Sequence, residues 1–381
     1  MNRMSLIHFQ PLELYPPVMN FVGCKTTTAT GPELDVYTTW CTAGISRFTP
    51  GDANIRIYRY GARKKTHNGL SRAWHYWRFY LLTLGRLFLT RPATVIYFES
   101  ISAFPACIYK LFINRKARVF IHYHEYMTPQ EYAGGMRLVK WFHRLEKKIY
   151  SRSSWISHTN NARMERFVHD MEGVVIPHRH ILPNYPPKSW QTSPRTLSRR
   201  PVRAVYVGSL SLDTMYTREF ARWVISRQGE IIWDIYSLNT TPEVVEFINS
   251  LPGGLVNLYP GIDYDRLPQV LSNYDLGVIL YTGHLPNWID NAPNKLFEYL
   301  SAGLDVWVSA VMTGSLPYVT TTTYPRVLAV DFLRLDTMDL RQSTDREGLS
   351  CSQPAWNCEE VYRPLWNELQ SGSDILQPLP L

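Results

Sequence analysis

The sequence predicts an α/β protein built as two successive domains, each a parallel sheet covered by helices. Three observations carry this prediction. Short β-like apolar runs alternate with longer runs of helical period. The alternation occurs twice, on either side of a segment at 182–203 that is rich in Pro, Ser, Thr and Arg. The chain has 381 residues, too many for one domain of common size and enough for two. Apolar residues at 45% against 19% charged allow each domain a substantial core.

In the first series, strands are expected at 5–9, 34–39, 55–60, 94–98, 119–122 and 155–158. Helices are expected at 71–89, 103–112, 135–151 and 161–169, with Ser71 as the N-cap of the first because its hydroxyl suits an unpaired first-turn N–H. The second series predicts strands at 204–207, 231–237, 256–259, 276–280 and 306–309, and helices at 217–226, 242–250, 265–271 and 292–302. The expected domains are 1–186 and 203–352, joined by a connection at 187–202. Residues 353–381 hold a last helix, 358–369, expected to return to the first domain. Open α/β sheets bind ligands beyond the carboxyl ends of their strands, so two such units are expected to face each other across a cleft.

Charge is unevenly spread. Residues 1–186 carry 25 Lys and Arg against 11 Asp and Glu, a balance of +14, whereas residues 187–381 carry 15 against 21, a balance of −6. A basic first half fits an anionic partner such as a lipid surface, a phosphorylated acceptor or nucleic acid; a solvated charged face fits it equally. No RNA- or DNA-binding signature accompanies the charge, so nucleic acid is not an expected partner. Aromatic residues reach 13%, which fits large cores or a surface that meets sugars or lipid. Five cysteines (Cys24, Cys41, Cys107, Cys351, Cys358) form no C-x-x-C or zinc spacing and suit a reducing compartment. Residues 1–11 lack the pattern of a secretory signal, and neither apolar stretch, 77–89 or 95–113, offers roughly 20 clean apolar residues. The expectation is a cytoplasmic protein, peripheral at most on the inner face of the cell membrane.

The sharpest segment is 290–306, DNAPNKLFEYLSAGLDV. Asp290 or Asn291 can cap a helix that tolerates Pro293 in its first turn, and Gly303 sits where that helix would end. Unpaired N–H groups and the helix dipole at such a start favour a phosphate, and Lys295 adds a positive charge. Glu298, three residues on, can accept from both hydroxyls of a ribose. From charges alone, an exposed Lys–Glu pair on an ordinary amphipathic helix accounts for the same residues.

The segment Asn294-Lys295-Leu296-Phe297-Glu298-Tyr299, followed by Ala302-Gly303, resembles the donor-site helix of retaining GT-B glycosyltransferases, among them the large family-four group of bacterial polysaccharide and lipid-linked glycan synthesis. Asp290 and Glu298 match that family's E-x7-E spacing, with Asp in the first place. Val205-Tyr206-Val207-Gly208-Ser209 resembles the strand and glycine turn opening its second domain, and Pro260-Gly261 the turn beside the nucleobase. Tyr274-Asp275-Leu276-Gly277-Val278 resembles the strand leading to the donor sugar. His122-Tyr123-His124-Glu125 and Leu182-Pro183-Asn184-Tyr185 resemble first-domain features in the same order. The likeness runs from about residue 5 to 310.

The resemblance implies a GT-B fold of two Rossmann-like domains and transfer of a sugar from a nucleoside diphosphate donor to a glycan or lipid-linked acceptor. It also implies retention of configuration, and neither a metal nor another cofactor. The implied donor-binding residues are Gly208, Ser209, Gly261, Asp290, Asn294, Lys295, Leu296 and Glu298. His124, Glu125 and Lys295 are the implied catalytic residues, although a His at a strand end also serves as an ordinary hydrogen-bonded residue. Glu99 is an acceptor-side candidate and equally a helix N-terminal carboxylate.

The chain departs from the family at the second-domain turn, where two cations usually face the diphosphate. Here the turn reads Gly208-Ser209-Leu210 and then Asp213-Thr214-Met215-Tyr216, with Arg218 the nearest cation. Phosphate neutralisation then falls to Lys295 and the helix end. The rival reading is a catalytically silent GT-B scaffold that binds a glycan or a partner enzyme. Pro11 to Pro17 stand where a glycine-rich loop is usual, and Asp305 where a proline is usual. The helix at 71–89, with Trp74, Trp77, Phe79, Tyr80, Leu81 and Leu84 among Arg72, Arg78 and Arg86, suits a membrane surface, packing against the sheet, or both.

Overall fold

The computed structural model describes residues 3–25, 32–40, 46–62, 69–193, 200–352 and 356–371. The chain divides into two compact units, one of residues 1–184 with 358–381 and the other of residues 185–357. Residues 194–199 of the expected connection, 353–355, and Cys41 lie outside the described residues.

Unit 1 is a seven-stranded parallel sheet of β1 (Met4–Ile7), β2 (Leu34–Trp40), β3 (Ile55–Ala62), β4 (Thr94–Phe98), β5 (Arg118–Tyr123), β6 (Trp155–His158) and β7 (Arg179–Ile181). Its strand order is β3-β2-β1-β4-β5-β6-β7, every described pairing parallel. Its helices are α1 (Pro16–Lys25), α2 (Gly69–Thr90), α3 (Ala103–Ile108, continued by a π turn Tyr109–Ile113), α4 (Pro129–Gly134), α5 (Arg137–Glu146) and α6 (Asn161–Asp170). Both faces of central strands are covered, so they read as continuous apolar runs such as Thr94–Phe98, buried throughout.

Unit 2 repeats the plan in six parallel strands, ordered β10-β9-β8-β11-β12-β14. The strands are β8 (Val202–Val207), β9 (Ile231–Ser237), β10 (Val256–Pro260), β11 (Leu276–Ile279), β12 (Asp305–Ser309) and β14 (Val327–Val330). Two short strands, β13 (Thr323–Tyr324) and β15 (Ser350–Cys351), pair apart from it. The helices are α7 (Thr217–Ser226), α8 (Pro242–Asn249), α9 (Leu267–Leu271), α10 (Pro286–Ile289), α11 (Asn294–Ser301) and α12 (Leu340–Thr344). The last helix, α13 (Cys358–Ser371), belongs to unit 1: the Trp366 ring stacks on Phe21 at 4.6 Å and Tyr362 donates to the Pro17 carbonyl. The rich aromatic content goes largely into cores, with Tyr37, Tyr97, Trp233 and Trp307 fully buried.

Several local expectations are corrected. Ser71 lies inside α2, which begins at Gly69, so it caps nothing. Of the helix expected at 135–151 only α5 is α-helical, with a 3-10 turn at Tyr150–Arg152 after it; the separate α4 before it was not expected and is opened by a Thr128–Glu131 capping box. The segment at Pro11–Pro17 is a 3-10 turn, Leu12–Leu14, followed by the start of α1.

Candidate functional site

In each sheet the strand order reverses at one place, between β1 and β4 in unit 1 and between β8 and β11 in unit 2. Chain leaving adjacent strands there diverges to opposite faces and opens a crevice at the carboxyl ends. Most of the residues singled out by sequence lie near these two places; Gly261, after β10, does not, and Leu296 is in the core.

In unit 2, β8 ends at Gly208, whose φ of 136° suits glycine. A Cβ there would lie 3.0 Å from Lys295 Nζ, so the glycine leaves room for the lysine head. Ser209 follows, its carbonyl accepting from the Tyr206 hydroxyl at 2.8 Å. Gly261 follows β10 pressed against Leu238, where a Cβ would meet the Leu238 backbone N at 2.9 Å. The chain after β8 is pinned to the chain after β11: Tyr216 N donates to Leu280 O at 2.7 Å, and Thr282 Oγ1 donates to Thr214 O at 3.0 Å.

The helix α11 begins at this switch point. Its N-cap is Pro293, with no side-chain cap, and not Asp290 or Asn291 as the sequence suggested. Asp290 is buried at the C-terminal end of α10, and Gly314 packs so closely on its carbonyl that a Cβ would lie 2.3 Å away. Asn294 opens the helix. Lys295 turns inward, its Nζ 3.3 Å from the Tyr206 hydroxyl and 3.4 Å from that of Tyr281, over both ring faces. Burial opposes its charge, and the surrounding tyrosines outweigh burial and hold it above the ordinary lysine range. Glu298 is buried one turn on, and burial raises its carboxyl to about 7 against the pull of Lys295. Leu296 is a core residue, fully buried, with its N–H donated to Pro293 O; its side chain is not available to a ligand. Arg218 lies over the Phe247 ring at 5.0 Å and does not replace the missing turn cations.

In unit 1, His124 follows β5, buried, with its ring stacked on Phe98. Its Nδ1 lies 3.3 Å from Asn184 Oδ1, and burial lowers the ring to about 3, so the imidazole is neutral at physiological pH. Glu99 follows β4 and accepts from the His124 N–H at 2.6 Å and the Glu125 N–H at 3.3 Å. Burial, with the Glu125 charge behind it, raises Glu99 to about 8. Glu125 is exposed and does not orient the His124 ring; Asn184 does. Buried Arg163 donates to the His124 carbonyl and to Thr159 Oγ1, fixing the turn from below. The sequence reading missed Asn184, Arg163, Tyr206 and Tyr281 as site residues. Asn184 and Tyr206 stood inside quoted motifs, whereas nothing in the local pattern marked Arg163 or Tyr281.

Metal independence rests on the resemblance alone. The chain does contain a D-x-D tripeptide, Asp263-Tyr264-Asp265, at a 3-10 turn after β10. Among the described residues no group of three or more His, Cys, Asp and Glu is placed to hold a metal ion.

No family model and no curated protein matches the sequence. Solved structures do. The apo lipopolysaccharide outer core galactosyltransferase WaaB is similar over 96% of this chain and 97% of its own, with a TM-score of 0.56 and 13% identity. HepE of Anabaena, solved with UDP and glucose, is similar over 98% of this chain and 96% of its own, with a TM-score of 0.61 and 11% identity. The fold is GT-B. That fold also holds the UDP-GlcNAc 2-epimerase of Neisseria meningitidis, solved with UDP-GlcNAc, which is similar over 97% of this chain and 99% of its own (TM-score 0.53, 10% identity). At these identities the likeness is one of GT-B architecture, and the chemistry has to come from the residues.

Proposed function

We propose that the protein is a glycosyltransferase that binds a nucleoside diphosphate sugar on unit 2 and passes the sugar to a glycan or lipid-linked acceptor. One observation carries this reading. Lys295 is a half-buried lysine, held charged, whose contacts are tyrosine hydroxyls and ring faces, at an uncapped helix start on the sheet's switch point. A cation kept charged in that setting is suited to a diphosphate. Glu298, one turn further in, takes the ribose hydroxyls in this reading. HepE with UDP and the epimerase with UDP-GlcNAc show the same fold in company with such ligands.

In this reading, Lys295 and the α11 N-terminus stabilise negative charge on the departing diphosphate. Neutral His124 contacts the transferring sugar, and Glu99 and Glu125 serve the acceptor side. Transfer proceeds with retention and without a metal, in the cytoplasm or at the inner face of the cell membrane. Strict Mn²⁺ dependence, or an inverted anomeric configuration in the product, would overturn the mechanism.

The test is calorimetric titration of UDP, GDP, ADP, CMP and dTDP into the wild type and Glu298→Ala. One nucleotide binds the wild type, and the variant binds it about 10- to 100-fold more weakly, the worth of hydrogen bonds to a charged group. The second reading, a catalytically silent scaffold, draws on the turn at 208–216, which contains no Lys or Arg and in which both Leu210 and Met215 are buried. Failure of every nucleotide to bind folded protein would select it.

A further inference from the structure

We propose that the outer face of α2, with Phe112 at the end of α3 and Met136 and Trp141 of α5, docks unit 1 onto an anionic lipid bilayer. A surface helix ordinarily keeps one apolar stripe for the core and a polar face for water. The inner stripe of α2 is satisfied: Phe79, Tyr80, Thr83 and Leu87 are fully buried. The opposite face is apolar as well. Trp74, Leu81 and Phe88 recur seven residues apart, Leu82 and Leu89 flank them, and exposure reaches 65% at Trp74 and 75% at Leu89. At 1.5 Å per residue the stripe from Trp74 to Leu89 is about 22 Å long.

Neighbouring helices extend this face. The Phe104 ring of α3 contacts Trp77 of α2 and Trp141 of α5, and the Tyr76 hydroxyl reaches Met136 Sδ at 3.9 Å. Met136 and Trp141 are partly exposed, at 43% and 41%, and Phe112 is largely exposed. The apolar side chains therefore form a patch across one helical layer, a feature that marks an interaction surface. Among the described residues no helix is long and apolar enough to cross a membrane, so the patch suits an interface and not a span.

Charge identifies the occupant. Between Asp52 and Glu125 the sequence holds 13 Lys and Arg and a single acid, Glu99, which is committed to the His124 turn; of these cations Arg56, Arg59 and Arg118 pair with Glu33, Glu13 and Glu368 from outside the segment. Arg78 lies within the apolar stripe, and Arg91 lies over the Phe88 ring at 5.7 Å. A second copy of the chain would bring these cations against one another. An anionic phospholipid surface takes the apolar side chains into its interfacial layer and pairs the cations with headgroups.

The full-length protein is sedimented with vesicles of phosphatidylcholine, with and without phosphatidylglycerol, and compared with a Leu81→Glu/Phe88→Glu variant. Wild type binds the anionic vesicles, and binding falls with added salt and is at least about tenfold weaker in the variant. Because both positions are exposed, the variant keeps the wild-type unfolding temperature and nucleotide affinity, which separates loss of docking from misfolding and from failure of the donor-site reading. Three results would overturn the proposal: no binding of wild type to anionic vesicles, equal binding by the variant, or a wild-type dimer that the variant converts to monomer, which would give the face to a second copy.

Discussion

At the end of β4 the chain turns through Glu99 with a φ of 66°, a backbone region costing a non-glycine residue about 1 kcal/mol or more. The turn brings its carboxyl onto the N–H groups of His124 and Glu125, so the strained residue organises its neighbours. The pH consequence has a definite sign. With its carboxyl raised to about 8 from an ordinary 4.5, folded Glu99 keeps a proton that the unfolded chain has released. Its contribution to stability therefore falls as pH rises between those values and levels off above about 8. Glu99→Gln, whose amide oxygen can still accept from both N–H groups, should escape this fall. Thermal unfolding at a series of pH values should show the variant gaining on wild type across that window; a constant difference would mean Glu99 is already ionised. At this scale the sequence was partly legible. His124 and Glu99 were visible as strand-end residues, but Asn184, which holds the His124 ring, comes from 60 residues away, and such a pairing has no local signature.

Elements were more legible than their ends. Apolar periodicity located α2, α11 and most strands, because a packed face must repeat at the period of its element. It misplaced the start of α11, since Asp290 and Asn291 look like caps while the actual start follows Pro293, whose fixed φ suits a chain entering a helix. Neither could it reveal how α11 is seated. Gly277 in β11 lies directly under the Tyr299 ring, where a Cβ would come within 2.1 Å. The Tyr299 hydroxyl in turn accepts from Val207 N–H at 3.0 Å, tying helix to β8. Gly277→Ala must therefore lift α11. It should cost about 1–3 kcal/mol of stability, the usual range for overpacking, and it should also weaken nucleotide binding by displacing Lys295 and Glu298. Denaturant unfolding and the same calorimetric titration check both halves. Lost stability with unchanged nucleotide affinity would mean that the helix start does not move with its body.

At the scale of the whole molecule, the doubled α/β plan followed from the alternation of elements, but the strand orders did not. Order depends on which strands pair across long loops, and parallel pairing leaves the same apolar run wherever the strand sits. The return of the chain end to unit 1 was readable as an apolar helix after the second series; its partners were not. Those partners make α13 part of the first unit's core. Trp366 is almost fully buried against Phe21, and Arg118 of β5 donates to the Glu368 carbonyl at 2.7 Å. Trp366→Ala should accordingly destabilise unit 1 by about 3–5 kcal/mol, the range for deleting a buried tryptophan. Unit 2 holds the residues proposed to bind the donor and has its own core, so nucleotide affinity should survive the change. Calorimetric unfolding with and without the bound nucleotide separates the two. Nucleotide should still protect the transition that reports unit 2, while the transition of unit 1 moves to lower temperature. A parallel loss of nucleotide binding would show that α13 supports the donor site as well, and that the two units fold as one cooperative body.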